Sequence, residues 1–278
     1  MLQSYVMDSA TSLEEKHKGA VVVAGSHGGE YVGYLAARAN VTALIVNDAG
    51  VGKDDAGIAS LAYLQALGVC AATASHLSAR IGDGQDMWLN GKLSHVNSAA
   101  DKAGCRAGMS VQEAVALLRQ HATEQTITVP SAREARMVLA SHDSLPVIGM
   151  DSVSLLLPED AGALVVAASH GNVLAQSRSD GVQAPVAAIA FHDAGIGKDE
   201  AGFGRLPALQ QRGIAALTVS ADSARIGDAR SCYQDGIISR ANACAQALGA
   251  VVGRPLRECY AAWQADQNFV LKTQRSEV

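Results

Sequence analysis

The sequence predicts an α/β protein made of internally duplicated Rossmann-like units, each with a mainly parallel sheet and helices on both faces, related by a pseudo-twofold axis. Three observations carry this prediction. The run NDAGVGKDDAG, Asn47 to Gly57, recurs as HDAGIGKDEAG, His192 to Gly202. The surrounding blocks recur in the same order: MDSATSLEEKHKGAVVVAGSHG from Met7 matches MDSVSLLLPEDAGALVVAASHG from Met150, and VCAATASHLSARIGDG matches IAALTVSADSARIGDA. Within each half, short apolar runs alternate with helical patterns, which is the signature of parallel strands joined by right-handed crossovers.

Taken in order, AVVVAG (Ala20 to Gly25) is rich in β-branched residues and suits a strand buried on both faces. It ends in Ser-His-Gly-Gly. Glu30 to Ala39 then reads as a helix, TALIVND as a second strand, Ala56 to Leu67 as a second helix closed by Gly68, and VCAATAS as a third strand. Beyond it, Gly91 to Gly104 is expected to be a helix with a lead-in. Ser110 to His121 is a helix opened by the capping box Ser110-x-x-Glu113, where Pro255 takes the equivalent start in the second half. Pro130 to Asp143 carries its own start signal, Ser131-x-x-Glu134, and is expected to be a connecting helix. The resulting division is a first repeat over 1–128, a connecting helical segment over 129–149 and a second repeat over 150–278.

A chain of 278 residues has enough apolar content to form a core without disulfides. Its net charge of −5 and the lack of any Lys/Arg-rich run argue against nucleic acid or an anionic membrane as partner. No apolar run reaches the roughly 18 residues of a membrane span, and Met1 to Gly19 lacks a signal-peptide pattern, so the expected location is the cytoplasm. The five scattered cysteines form no C-x-x-C pair and read as buried free thiols. Small molecules are the expected partners, and a homo-oligomer is compatible with the sequence.

Three polar clusters fall at the carboxyl ends of consecutive predicted strands, the edge where open parallel sheets bind ligands. The first holds Ser26 and His27, repeated as Ser169 and His170. The second holds Asp48, Gly50, Gly52 and Lys53, repeated as Asp193, Gly195, Gly197 and Lys198, with His192 facing Asn47. Its glycines allow close backbone approach, and a helix opening near Asp54 would offer unpaired N–H groups to an anion. The spacing is neither that of a Walker loop nor G-x-G-x-x-G. The third holds Ser78, Arg80 and Asp83, repeated as Ser223, Arg225 and Asp228. An arginine there can clasp a carboxylate, or can close an internal ion pair with the nearby aspartate.

The halves also differ. His76 and His95 in the first stand where the second has Ala221 and Arg240, and Asp222 stands opposite Leu77. The expected function is an enzyme acting on a small carboxylate-bearing metabolite, a hydrolase of an amide, ester or ring. His27, His170, Asp48 and Asp193 are the acid–base candidates, with Lys53 and Lys198 polarising the substrate and Ser78 or Ser223 as nucleophile. Ser26, Ser169, Gly50, Gly52, Gly195, Gly197, Arg80, Arg225 and His192 are the binding candidates. No cofactor is expected, although His170, His192 and Asp193, with Asp222 nearby, leave a divalent-metal alternative open. The other readings are a non-catalytic anion-binding or sensor protein, and a lyase or isomerase using the same groups.

Overall fold

The structure, a computed structural model, describes residues 2–123, 125–142, 145–266 and 269. Two compact units result: unit 1 comprises 1–133 with 174–178 and 196–201, and unit 2 comprises 134–173, 179–195 and 202 onward. The end of the second sequence repeat, 267–278 apart from 269, lies outside the described residues, as does Asp143.

In unit 1 the strands β1 (Ser4–Met7), β2 (Val21–His27), β3 (Ala43–Asn47), β4 (Cys70–Ala74) and β5 (Leu93–Val96) form one sheet in sequential order. The first four run parallel and β5 pairs antiparallel with β4. The apolar run of β2 explains why it sits inside: Val22 and Ala24 face one layer, Val21 and Val23 the other. On the first face lie α1 (Glu30–Arg38) and α2 (Ala59–Ala66), through Val32, Leu35, Leu61 and Leu64. On the second lie α3 (Gly84–Asn90), α4 (Ser98–Lys102) and α5 (Val111–His121), through Met87, Ala100, Val115 and Leu118. Burying each valine, leucine and methionine among them contributes about 1.5–3 kcal/mol. The α5 capping box forms as the sequence indicates, with Ser110 Oγ accepting from Glu113 N–H and the Glu113 carboxylate accepting from Ser110 N–H.

Unit 2 carries β6 (Arg136–Ala140), β7 (Val147–Met150), β8 (Leu164–His170), β9 (Ala188–His192), β10 (Ala215–Val219) and β11 (Ile238–Ala241). They form a second sheet, again in sequential order, with β7 to β10 parallel and the two edge strands antiparallel. One face is covered by α6 (Arg205–Gln211) and the other by α7 (Ala229–Gln234), α8 (Ala243–Ala247) and α9 (Leu256–Ala265). Tyr260 of α9 is fully buried and donates its hydroxyl to the Val165 carbonyl at 2.9 Å.

Five expectations need correction. The units hold more than three strands, because the short runs SYVM and VIGM add β1 and β7. Sequential strand order contains no reversal, so the crevice of a Rossmann switch point has no counterpart within either sheet. Gly91 to Gly104 is β5 followed by α4; Asn97 fixes the change by bonding Ala71 N–H and the Val69 carbonyl while capping α4. The second half has no helix between β8 and β9, where 171–187 runs irregularly and packs Val182, Ala184 and Val186 onto the sheet.

The last correction concerns Pro130 to Asp143. Its core is the edge strand β6, because Arg136, Met137 and Val138 pair with Met150, Gly149 and Ile148, and Leu139 packs where Gly149 has no side chain. Ser131 and Glu134 therefore cap no helix. Burial pushes the Glu134 carboxyl up to about 7, and the charge of Asp151 adds to this. A folded-state pKa raised above the unfolded 4.5 stabilises the fold fully below pH 4.5, and that contribution is lost as pH rises to about 7. Discounted for partial exposure, the loss is about 1–2 kcal/mol. Glu134→Gln is accordingly expected to flatten this part of the stability profile and to be the more stable protein at pH 8, as read by denaturant unfolding.

Candidate functional site

The repeated loop is organised by the two residues that end β3. Asn47 accepts the Ala49 N–H at 2.9 Å and donates to the Ala79 carbonyl at 3.0 Å. Asp48 Oδ1 accepts the Gly50 N–H at 3.1 Å, and the Asp48 carbonyl accepts from Val51 at 2.7 Å. These bonds hold a run of left-handed backbone: Ala49, Gly50, Val51 and Gly52 have φ of 49°, 78°, 62° and 71°, and Asp54 and Asp55 follow at 55° and 56°. Each non-glycine residue there costs about 1–2 kcal/mol, and Val51, being β-branched, is the least suited. The loop after β9 repeats the pattern, with Ala194, Gly195, Ile196 and Gly197 at 51°, 73°, 66° and 72°.

This geometry changes the meaning of the glycines. The N–H groups of Ala49, Gly50 and Val51 are bonded within the loop, and α2 begins at Ala59, past a 3-10 segment over Lys53–Ile58. Gly50 and Gly52 thus shape a turn around the loop's own carboxylate, Asp48. Gly195 and Gly197 do the same around Asp193, whose Oδ1 accepts from Gly195 N–H at 3.0 Å and Ala221 N–H at 2.9 Å. His192 replaces Asn47 in kind: Nδ1 accepts from Ala194 N–H at 3.0 Å and Nε2 donates to the Ala224 carbonyl at 2.9 Å. Its ring is buried, and burial pulls its pKa down against the pull of Asp193. With both nitrogens engaged, His192 has no lone pair for a metal. Among the described residues no group of three or more His, Cys, Asp or Glu is arranged to hold one.

The first half differs at one position that matters chemically. Parallel pairing sets Asn47 beside Ala74, so Asp48 lies next to the residues that follow β4. There Asp48 Oδ1 accepts both the His76 backbone N–H at 2.9 Å and the His76 ring Nδ1 at 2.8 Å. Burial resists ionisation of Asp48, yet the His76 side-chain and backbone bonds, with a further one from Ser94, hold its carboxyl below the usual range. The carboxylate side chain is 4 % exposed and the imidazole 21 %. A buried anion on Nδ1 and a partly exposed ring are what orient an imidazole for proton transfer at Nε2. Asp193 has Ala221 in that place, which offers it only a backbone N–H.

The cations form a separate network within unit 1. Lys198 Nζ contacts both oxygens of Asp86, at 2.8 and 3.1 Å. Arg80 reaches Asp83 at 3.0 Å and Asp199 at 2.8 Å, while its backbone N–H donates to Asp86 at 2.7 Å. Burial works against the Asp86 charge, but Lys198, Arg80 and Asn90 outweigh it and keep the carboxyl low. In unit 2, Arg225 closes on Asp228 at 2.8 Å, the internal ion pair that the sequence allows. Lys53 opens the Lys53–Ile58 segment and is partly buried.

The hydroxyls serve the backbone. Ser78 Oγ donates to the Ser75 carbonyl at 2.8 Å and accepts from Lys92 N–H at 2.9 Å; Ser223 does the same with Ser220 and Ile237, at the same distances. Ser26 accepts from Ala10 N–H at 2.8 Å and Ser169 from Val153 N–H at 3.1 Å. His27 and His170 end β2 and β8, and each accepts a backbone N–H on Nδ1, from Gly29 at 3.1 Å and Asn172 at 3.3 Å. Asp222 is exposed.

Thus the structure joins Asp48 to His76, and Arg80 and Lys198 to acidic partners, while the serines act as pins. The role of His76 was visible only as a difference between the halves. Comparison with protein-family models, with curated proteins and with solved structures finds no match for this chain. No described helix is long and apolar enough to cross a membrane.

Proposed function

We propose that this chain is an acid–base enzyme for a small carboxylate-bearing metabolite, a hydrolase of an amide, ester or ring, with His76 transferring the proton and Asp48 orienting it. The observation that carries the reading is the 2.8 Å contact between His76 Nδ1 and the buried Asp48 carboxylate. Neutral His76 would take a proton from water at Nε2 as that water attacks the carbonyl, and return it to the leaving group. Water is the nucleophile in this scheme because the hydroxyls of Ser78 and Ser223 are held by backbone groups.

A carboxylate on the substrate has a place to bind. Arg80 and Asp199 are 38 % and 60 % exposed, and an exposed pair of this kind contributes at most about 1 kcal/mol. The substrate carboxylate would displace Asp199 from Arg80, which stands on the same loop as His76. We further read the chain as a gene duplication with pseudo-twofold symmetry, in which the first copy has His76 where the second has Ala221. A lyase or isomerase would use the same proton transfer without water.

The test is a mass-spectrometric screen of carboxylate-bearing esters, amides and lactones with the full chain. One class is expected to be converted with uptake of water, and Ser78→Ala is expected to convert it at a similar rate. Return of every compound unchanged would count for a non-catalytic anion binder. Loss of conversion in a folded Ser78→Ala protein would instead restore the serine as nucleophile.

A further inference from the structure

The amino-terminal edge of the first sheet, opposite the strand ends that lead to Asp48 and His76, carries an open cleft of about 650 Å³. That volume lies within the roughly 300–1,000 Å³ of small-molecule sites. Leu2 and Gln3 lead into β1, Lys18 and Gly19 into β2, and Arg119 and Gln120 come from the last turn of α5. The Arg119 Nε–H donates to the Leu2 carbonyl at 2.6 Å, which leaves its two Nη groups uncommitted. Among the described residues neither Arg119 nor Lys18 has an acidic partner, and no carboxylate lines the cleft.

The matching positions of the second half show that folding does not require these groups. There Gln264 stands for Arg119 and makes the same bond, its Nε2 donating to the Leu145 carbonyl at 2.8 Å. Gln3, Lys18 and Gln120 are matched by Pro146, Ala161 and Ala265. An amide therefore suffices for the structural bond, and the two cations with their neighbouring amides are peculiar to the first half.

We propose that this cleft is a phosphate site, for a small phosphate monoester or the free ion, held by Arg119 Nη1 and Nη2 and by Lys18. A guanidinium presents parallel N–H donors to two phosphate oxygens, and a phosphate monoester carries about −1.5 to −2 at neutral pH. Arg119 and Lys18 set two positive charges against it, where a single carboxylate would leave one unmatched. The carboxyl end of α5 contributes about −0.5, so the cleft stays positive. The site lies in unit 1 but does not rest on the reading of Asp48 and His76.

The test is calorimetric titration of the full chain with ribose 5-phosphate, inorganic phosphate, ribose and malonate at fixed ionic strength. Ribose 5-phosphate is expected to bind and ribose is not. Arg119→Gln keeps an amide for the Leu2 carbonyl, as Gln264 does for Leu145, and is expected to fold while binding about tenfold more weakly or worse. Should it not fold, Lys18→Ala decides, being at an exposed position, with a several-fold loss expected. Tighter binding of ribose 5-phosphate than of inorganic phosphate identifies an ester site, and equal binding identifies the free ion. Failure of both phosphates to bind, malonate binding as tightly as either, or unchanged affinity in folded Arg119→Gln would overturn the proposal.

Discussion

His76→Gln is expected to lower turnover of the substrate by about 10³-fold, with Asp48→Asn close behind, because a positioned general base contributes about 10²–10⁴ in rate. The amide introduced by Asp48→Asn would present the wrong partner to Nδ1 and no anion to stabilise the imidazolium. The molecule contains its own control. Asp193 makes the same loop bonds, to Gly195 and Ala221, but has an alanine in the histidine's place. Asp193→Asn should therefore lower Tm by less than Asp48→Asn, which also loses the His76 contact, and leave kcat near the wild-type value. Equal losses of kcat in the two variants would mean that both aspartates act only by shaping their loops, and the catalytic assignment would fall.

Gly57→Ala is expected to destabilise the protein by about 3 kcal/mol or more, since overpacking against backbone cannot be relieved by rotating a side chain. A methyl group on Gly57 would lie 2.1 Å from the Asp48 carbonyl oxygen and 2.8 Å from that of Val51. Both oxygens belong to the loop that presents Asp48 to His76, so turnover should fall together with stability. Gly108→Ala makes a useful comparison: it has a φ of 87° but nothing within 4 Å of the added carbon. Its cost should be the conformational one alone, about 1 kcal/mol. Denaturant unfolding of the two variants separates steric exclusion from backbone preference.

Those expectations show what kind of information a sequence carries. The parallel strands were readable because VVVAG and ALIV bury on both faces, and α5 because Ser110 and Glu113 spell its cap. Strands β5 and β6 were not, since four or five residues at a sheet edge take their form from a partner strand whose distance in sequence is not written locally. The doubled Asp-Ala-Gly-x-Gly-Lys loop announced itself, but the residues that its cations meet did not. The internal ion pair of Arg80 with Asp83 could be read from their spacing, whereas the contacts of Lys198 with Asp86 and of Arg80 with Asp199 join residues far apart in sequence. His76 could have been found by asking which residue follows the strand beside Asp48. That step needs the strand neighbours, which composition and spacing alone do not fix.

The make-up of unit 1 has a consequence for how the protein is made. Residues 174–178 and 196–201 belong to it, so its set of contacts is incomplete until residue 201 has been synthesised. Asp8 accepts the Gln176 N–H at 2.7 Å, and the His76 carbonyl accepts the Lys198 N–H at 2.8 Å. A nascent chain that has emerged only as far as Arg133 therefore carries the full first sheet but neither of these contacts. Domains usually fold in order as they leave the ribosome. Here the last contacts of the first unit form only once residues 174–178 and 196–201 have been made, whereas Asp48 and His76 both lie in the part that is made first.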